Sequence, residues 1–197
     1  HAEEAYISTA ASPFSDAMAE KAMELIGENI RRFVANRTDV EAAEAMMVGS
    51  LFAGIAFSFA RLGNVHAMSH PVSAFFDVPH GVANAVLLPV VAEYNALADH
   101  GRYYKIYNYI SEIPAYEDEF EPMMLVDAIR SLCKAIGIPA NLTEAINQAG
   151  KTGSISRETI EEKIEAMAAD AMKSGNIAVN PRSSRQCDIE MLYRKAL

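Results

Sequence analysis

Apolar residues recur at three- and four-residue steps along most of the chain, and no stretch alternates with a period of two, so the pattern predicts helices throughout. Met18, Ala22, Leu25, Ile26, Ile30 and Phe33 form one such stripe. Ser12 supplies its N-cap and Pro13 its first position, giving an amphipathic helix to about Val34. Ahead of it, residues 1–9 have no preceding cap and read as the tail of a helix. Thr38-Asp39-Val40-Glu41 then has the form of a capping box. The helix it opens loses its polar face after Glu44, and a helix apolar all round is expected to be buried. Gly49, Ser50, Ala53, Gly54 and Ala56 fit a central position, where small side chains let neighbouring backbones come close.

Leu62-Gly63-Asn64 is the next break, and Pro71 is expected to end any helix carrying His66 and His70. After a loop at Asp77-Val78-Pro79, a third apolar helix starts at His80, with a kink expected at Pro89 and an end near Asp99. A Tyr-rich helix covers 102–111, an acidic loop 116–121, and a further helix 122–136, which Gly137 and Pro139 terminate. Residues 141–149 form a short helix and 150–153 a turn. Ser156 is expected to cap a helix running to about Met172, with a core face of Ile160, Ile164, Met167, Ala168 and Ala171. A loop over 173–185 precedes a last short helix. The fold class is therefore all-α, with eight or nine helices forming one domain over residues 1–197.

Composition narrows the partners. A net charge of −9 and the absence of a basic run longer than two residues speak against nucleic acid, whose phosphates need a basic face. The longest uncharged run, Ala45–Ala60, is sixteen residues, short of the roughly 20 needed to span a bilayer, so no membrane partner is expected. Cys133 and Cys187 lack metal-type spacing and suit a reducing, cytoplasmic setting.

Histidine changes the picture more than charge does. Of five histidines, at 1, 66, 70, 80 and 100, three fall within fifteen residues. Neutral imidazole is the commonest protein ligand for transition metals. His66 and His70 share a face if helical, the spacing of two ligands on one metal, but His-Ala-Met-Ser-His lacks the glutamate that a metalloprotease uses as general base. That pair alone suits core residues with satisfied nitrogens as well as it suits a metal. His80, between Pro79 and Gly81 at a loop-to-helix junction, tips the balance to a metal site in a dry pocket. His100, beside Asp99 and Gly101, reads as a surface residue at a helix end.

The stretch 63–95, GNVHAMSHPVSAFFDVPHGVANAVLLPVVAEYN, closely resembles the signature of the iron-containing (group III) alcohol dehydrogenases. The likeness extends to the opening HAEEAYIST, to Gly137-Ile138-Pro139 and to Asn180-Pro181-Arg182. It implies an all-helical, metal-binding C-terminal lobe, separate from an N-terminal α/β lobe that binds NAD(P) and lies outside this chain. It implies metal ligands at His1, His66 and His80, with an aspartate ligand four residues upstream of His1. It moves His70 to a catalytic and cofactor-facing position toward nicotinamide and substrate, and leaves Asn176 where many members have Cys.

The resemblance implies hydride transfer between NAD(P)(H) and a small alcohol or aldehyde, with Fe2+, or alternatively Zn2+, as the metal. Phe75, Phe76 and Val78 are expected to line the cleft, and the protein is expected to be a cytoplasmic homo-oligomer. The chain by itself is expected to show no turnover. Two alternatives stay within the superfamily, a zinc-dependent glycerol dehydrogenase and a dehydroquinate synthase-like lyase. The lyase needs cations near the histidines, where only Arg61 lies close. A third is a helical metal-binding module without catalysis of its own.

Overall fold

A computed structural model describes residues 1–149 and 154–197, and the turn expected at 150–153 lies outside them. The described residues contain helices and no strand, as an all-α chain requires. The helices are α1 (Ala2–Ile7), α2 (Pro13–Ala35), α3 (Val40–Ala60), α4 (Asn64–Phe76), α5 (His80–Asn95) and α6 (Arg102–Ile110). They continue with α7 (Pro122–Ala135), α8 (Leu142–Ala149), α9 (Arg157–Glu161), α10 (Ile164–Met172) and α11 (Gln186–Ala196). Eleven α-helices among the described residues exceed the eight or nine expected.

Two apolar cores are divided by α5. Leu87, Val90 and Val91 of α5 join Met68, Val72 and Phe76 of α4, Ile160, Ile164 and Met167 of α9 and α10, and Ile189 and Tyr193 of α11. Ala92, on the other side of α5, joins α1, α2, α3, α6 and α7 through Ala5, Ala22, Ala56, Ile106 and Leu125. A helix between two cores needs apolar residues all round, and α5 has them.

The central role predicted for α3 therefore belongs to α5. Only a stripe of small residues on α3 is buried, Ala42, Gly49, Ala53, Ala56 and Ala60, against α1 and α2. Its outer face leaves Met47 76%, Leu51 62% and Phe59 64% exposed, with Phe14 of α2 set edge-on to Phe59 at 4.9 Å. At 21 residues, with Glu41 and Glu44 inside it, α3 is long and apolar enough to cross a bilayer, as is His80–Ala98. The sixteen-residue uncharged run understated that length. Burial of α5 between two cores accounts for its own apolar composition.

Three helix boundaries also differ from expectation. Asn36 Oδ1 accepts from both the backbone and the hydroxyl of Thr38, so the cap of α3 passes to Asp39, which accepts from Ala42 N at 3.0 Å. Glu41 is drawn instead to Arg32. Pro71 does not end α4, because Met68, Val72 and Phe76 around it are packed in the first core and hold the helix together. Tertiary packing thus outweighs the roughly 3 kcal/mol that an interior proline costs. Finally, the helix capped by Ser156 is interrupted after Glu161, where Lys163 N–H turns back to Ile160 O. Ile160 and Ile164, on either side of that turn, are both fully buried.

Candidate metal centre

The site forms where the starts of α1, α4 and α5 meet. The first turn of α4 has N–H groups without helical partners. Asn64 N–H donates to Asn180 Oδ1 at 3.1 Å, and Val65 N–H donates to Glu4 Oε1 at 2.7 Å. A carboxylate at a helix N-terminus is favoured by the dipole as well as by the bond. Gly63 makes room for both acceptors, since a Cβ there would stand 2.8 Å from Asn180 Oδ1 and 2.9 Å from Glu4 Oε1. Asn180 is locked by a reciprocal amide pair with Asn95, at 2.8 and 3.2 Å.

The same Glu4 carboxylate receives a short bond from His66 Nδ1 on its other oxygen, and both residues are buried. This holds the His66 ring with its Nδ1–H directed at Glu4 and leaves Nε2 as the acceptor. His80 is arranged in parallel. Ser69 Oγ donates to His66 O at 3.3 Å, leaving its lone pairs toward His80 Nδ1 at 3.4 Å. Nε2 of His66 and Nε2 of His80 then face one point, the Nδ2 of Asn84, which lies 3.1 Å from each. The Oδ1 of Asn84 is buried without a partner among the described residues. His1, His70 and His80 are exposed rather than enclosed in the dry pocket expected. Partial desolvation, and then the neighbouring His66 and His70 rings, holds the His80 pKa below its ordinary value. It is therefore a neutral imidazole at neutral pH, the form that binds metals.

His1 lies against His66 with ring centroids 4.5 Å apart, and its other face stacks on Phe57 of α3 at 4.7 Å. His70 is exposed, 6.4 Å from the His66 ring and stacked on His80 at 5.1 Å. All four candidate histidines are thus brought together, while His100 is exposed elsewhere, on the rim of another cavity. Of the aromatic and apolar residues expected to line a cleft, only Phe75 is exposed. Phe76, on the core-facing side of α4, and Val78, just past the left-handed turn at Asp77, are in the first core.

Two imidazole Nε2 lone pairs with one focus, each ring oriented through its Nδ1, fit a divalent transition metal such as Fe2+ or Zn2+. Among the described residues, no three His, Cys, Asp or Glu side chains already gather their donors at the spacing of one ion. His66 and His80 are therefore preset, and His1 is the adjacent ring that would complete three. Glu4, Ser69 and Asn84 were missed in the sequence. Asn84, four residues after His80 and so on its helical face, was the one most open to discovery there.

The whole chain is similar to curated dehydrogenases. The chain is 39% identical over 197 residues to 1,3-propanediol dehydrogenase of Citrobacter freundii and 36% identical over 197 residues to lactaldehyde reductase of Escherichia coli. All of this chain is matched in both cases, against 48% of each relative, so the chain spans about half the length of these relatives. Among solved structures, a 1,3-propanediol oxidoreductase superposes on 100% of this chain with a TM-score of 0.87 and 39% identity, using 49% of its own length. The family model described as Fe-containing alcohol dehydrogenase family, C-terminal, matches residues 1–197, and the chain belongs to that family as its C-terminal, all-helical region.

Proposed function

We propose that the chain supplies the metal-binding half of an alcohol dehydrogenase that moves hydride between NAD(P)(H) and a small alcohol or aldehyde. The observation that carries this reading is the shared focus of His66 and His80 Nε2 on Asn84 Nδ2, with Glu4 fixing one ring and Ser69 the other. His1, His66 and His80 are the ligands on this reading, and Fe2+ or Zn2+ the metal. A bound divalent ion would supply Lewis acidity, favouring alkoxide at neutral pH.

The remaining steps belong to the chain's own side chains. Glu4 holds the His66 ring in one tautomer. Asn84 yields the focal point when the donors are needed. On this reading His70, which is exposed and stacked on His80, exchanges a proton with a substrate hydroxyl or with water and orients the nicotinamide. The cofactor is bound chiefly by residues outside this chain, and the assembled enzyme works as a cytoplasmic homo-oligomer.

The test extends the reading frame upstream of His1, loads the protein with ferrous iron without oxygen, and follows NADH oxidation with small aldehydes. His66→Ala and His80→Ala should each abolish turnover. Full activity in both variants would sink the proposal. The 197-residue chain alone should neither bind NAD nor oxidise NADH.

A further inference from the structure

The last residue of α3's turn into the site has a backbone that its side chain does not suit. Arg61 has φ 62° and ψ −168°, a region held almost solely by glycine. Such conformations persist where the surroundings impose them, and they cluster at ligand clamps and active sites. Here the surroundings are the end of α3, where Arg61 N–H is bonded to Phe57 O at 2.8 Å, and the entry to α4 three residues later.

The side chain of Arg61 is seated on another segment altogether. Its guanidinium lies over Gly175, where a Cβ would stand 2.2 Å from Nη2 and 3.3 Å from Cζ. Among the described residues, neither an ion pair nor a hydrogen bond engages that guanidinium, whereas Arg102 is forked onto Asp16 and Arg130 onto Glu93 and Asp127. Arg61 is exposed, and chain neighbours on either side of its seat reach the histidines. Phe57, one turn before Arg61, stacks on His1. Ser174, next to Gly175, lines a groove of about 360 Å³ with His70, Pro71 and Lys173, the last already paired to Asp170 at 2.7 Å. A planar guanidinium with its donors unused fits a carboxylate, sulfonate or phosphate in a bidentate manner.

We propose that Arg61, held on Gly175, is an anion-recognition residue at the mouth of the histidine site. It takes an acidic group carried either by the substrate, which would then be a hydroxy or oxo acid or a sulfonate, or by the pyrophosphate of the dinucleotide. The substrate and cofactor assignments both rest on the dehydrogenase reading above, whereas the anion site itself does not.

The experiment titrates the protein with glycolate, with 2-hydroxyethanesulfonate and with inorganic pyrophosphate, following the arginine Nε–H resonances by NMR. The wild type should bind saturably with a shift at Arg61. Arg61→Gln should weaken binding at least tenfold, and Arg61→Lys should restore part of it. Gly175→Ala should weaken binding similarly by lifting the guanidinium from its seat, and the fold should tolerate it because φ at Gly175 lies outside the left-handed region. Response to pyrophosphate alone assigns the anion to the cofactor, and response to the small acids alone assigns it to the substrate. Absence of saturable binding, or wild-type affinity in both Arg61→Gln and Gly175→Ala, overturns the proposal. Arg61-dependent binding in a protein whose extended form oxidises no NADH would overturn the dehydrogenase reading and leave this one standing.

Discussion

Glu4 serves His66 twice, accepting its Nδ1–H on one carboxylate oxygen and the N–H of the preceding residue, Val65, on the other at 2.7 Å. One side chain therefore fixes both the ring and the helix end that carries it. Outer partners of this kind typically alter metal affinity 10- to 100-fold, so Glu4→Ala should weaken Zn2+ binding by about that factor. Competition with a chromophoric chelator measures it, and an unchanged affinity would show that the ring is held by other contacts.

Gly63→Ala should destabilise the fold. The added methyl meets Asn180 Oδ1 and Glu4 Oε1 inside 3 Å, and both are anchored by buried hydrogen bonds. Overpacking of this sort costs about 1–3 kcal/mol. Denaturant unfolding should show a lower midpoint, and a wild-type midpoint would mean that Glu4 and Asn180 can move without loss.

Asn84 competes for the lone pairs that a metal would use. Each neutral hydrogen bond is worth about 1 kcal/mol net, so losing both in Asn84→Ala should tighten Zn2+ binding up to roughly 30-fold. Weaker binding in that variant would show instead that the amide orders the rings for the metal.

Glu93 joins α5 to α7 and α11 through Arg130 at 2.7 Å and a short contact with Lys195. Lys195 and then Arg130 hold its carboxyl below the ordinary value. A lowered folded pKa contributes stability above the unfolded value, about 4.3, and loses it as pH falls through the folded value. Being partly exposed, the group should contribute about 0.5–1 kcal/mol at pH 7. Glu93→Gln should therefore unfold more easily at pH 7, with the difference closing in acid; a difference that grew in acid would contradict the sign.

How far the sequence disclosed this molecule can be judged residue by residue. The helical class and the ends at Ser12, Asn36, Gly137 and Ala149 follow from local chemistry that tertiary contacts leave alone. Pro71 and α3 were misjudged because local rules cannot weigh packing partners: Met68 and Val72 carry α4 through the proline, while α3 had no second layer to cover Met47 and Leu51. Among the site residues, His66, His70 and His80 stand out by spacing, and His1 only through the family likeness. Glu4 and Asn84 are unremarkable in sequence, because their importance lies in two helix starts that only the fold brings together.

The central claim is that His66 and His80 share a metal ion, and an anaerobic titration with Co2+ tests it most directly. The wild type should develop ligand-field absorption bands that saturate at one ion per chain, and His66→Ala and His80→Ala should each lose those bands while keeping a cooperative unfolding transition. Bands of undiminished intensity and affinity in the His66→Ala/His80→Ala double variant would contradict the account.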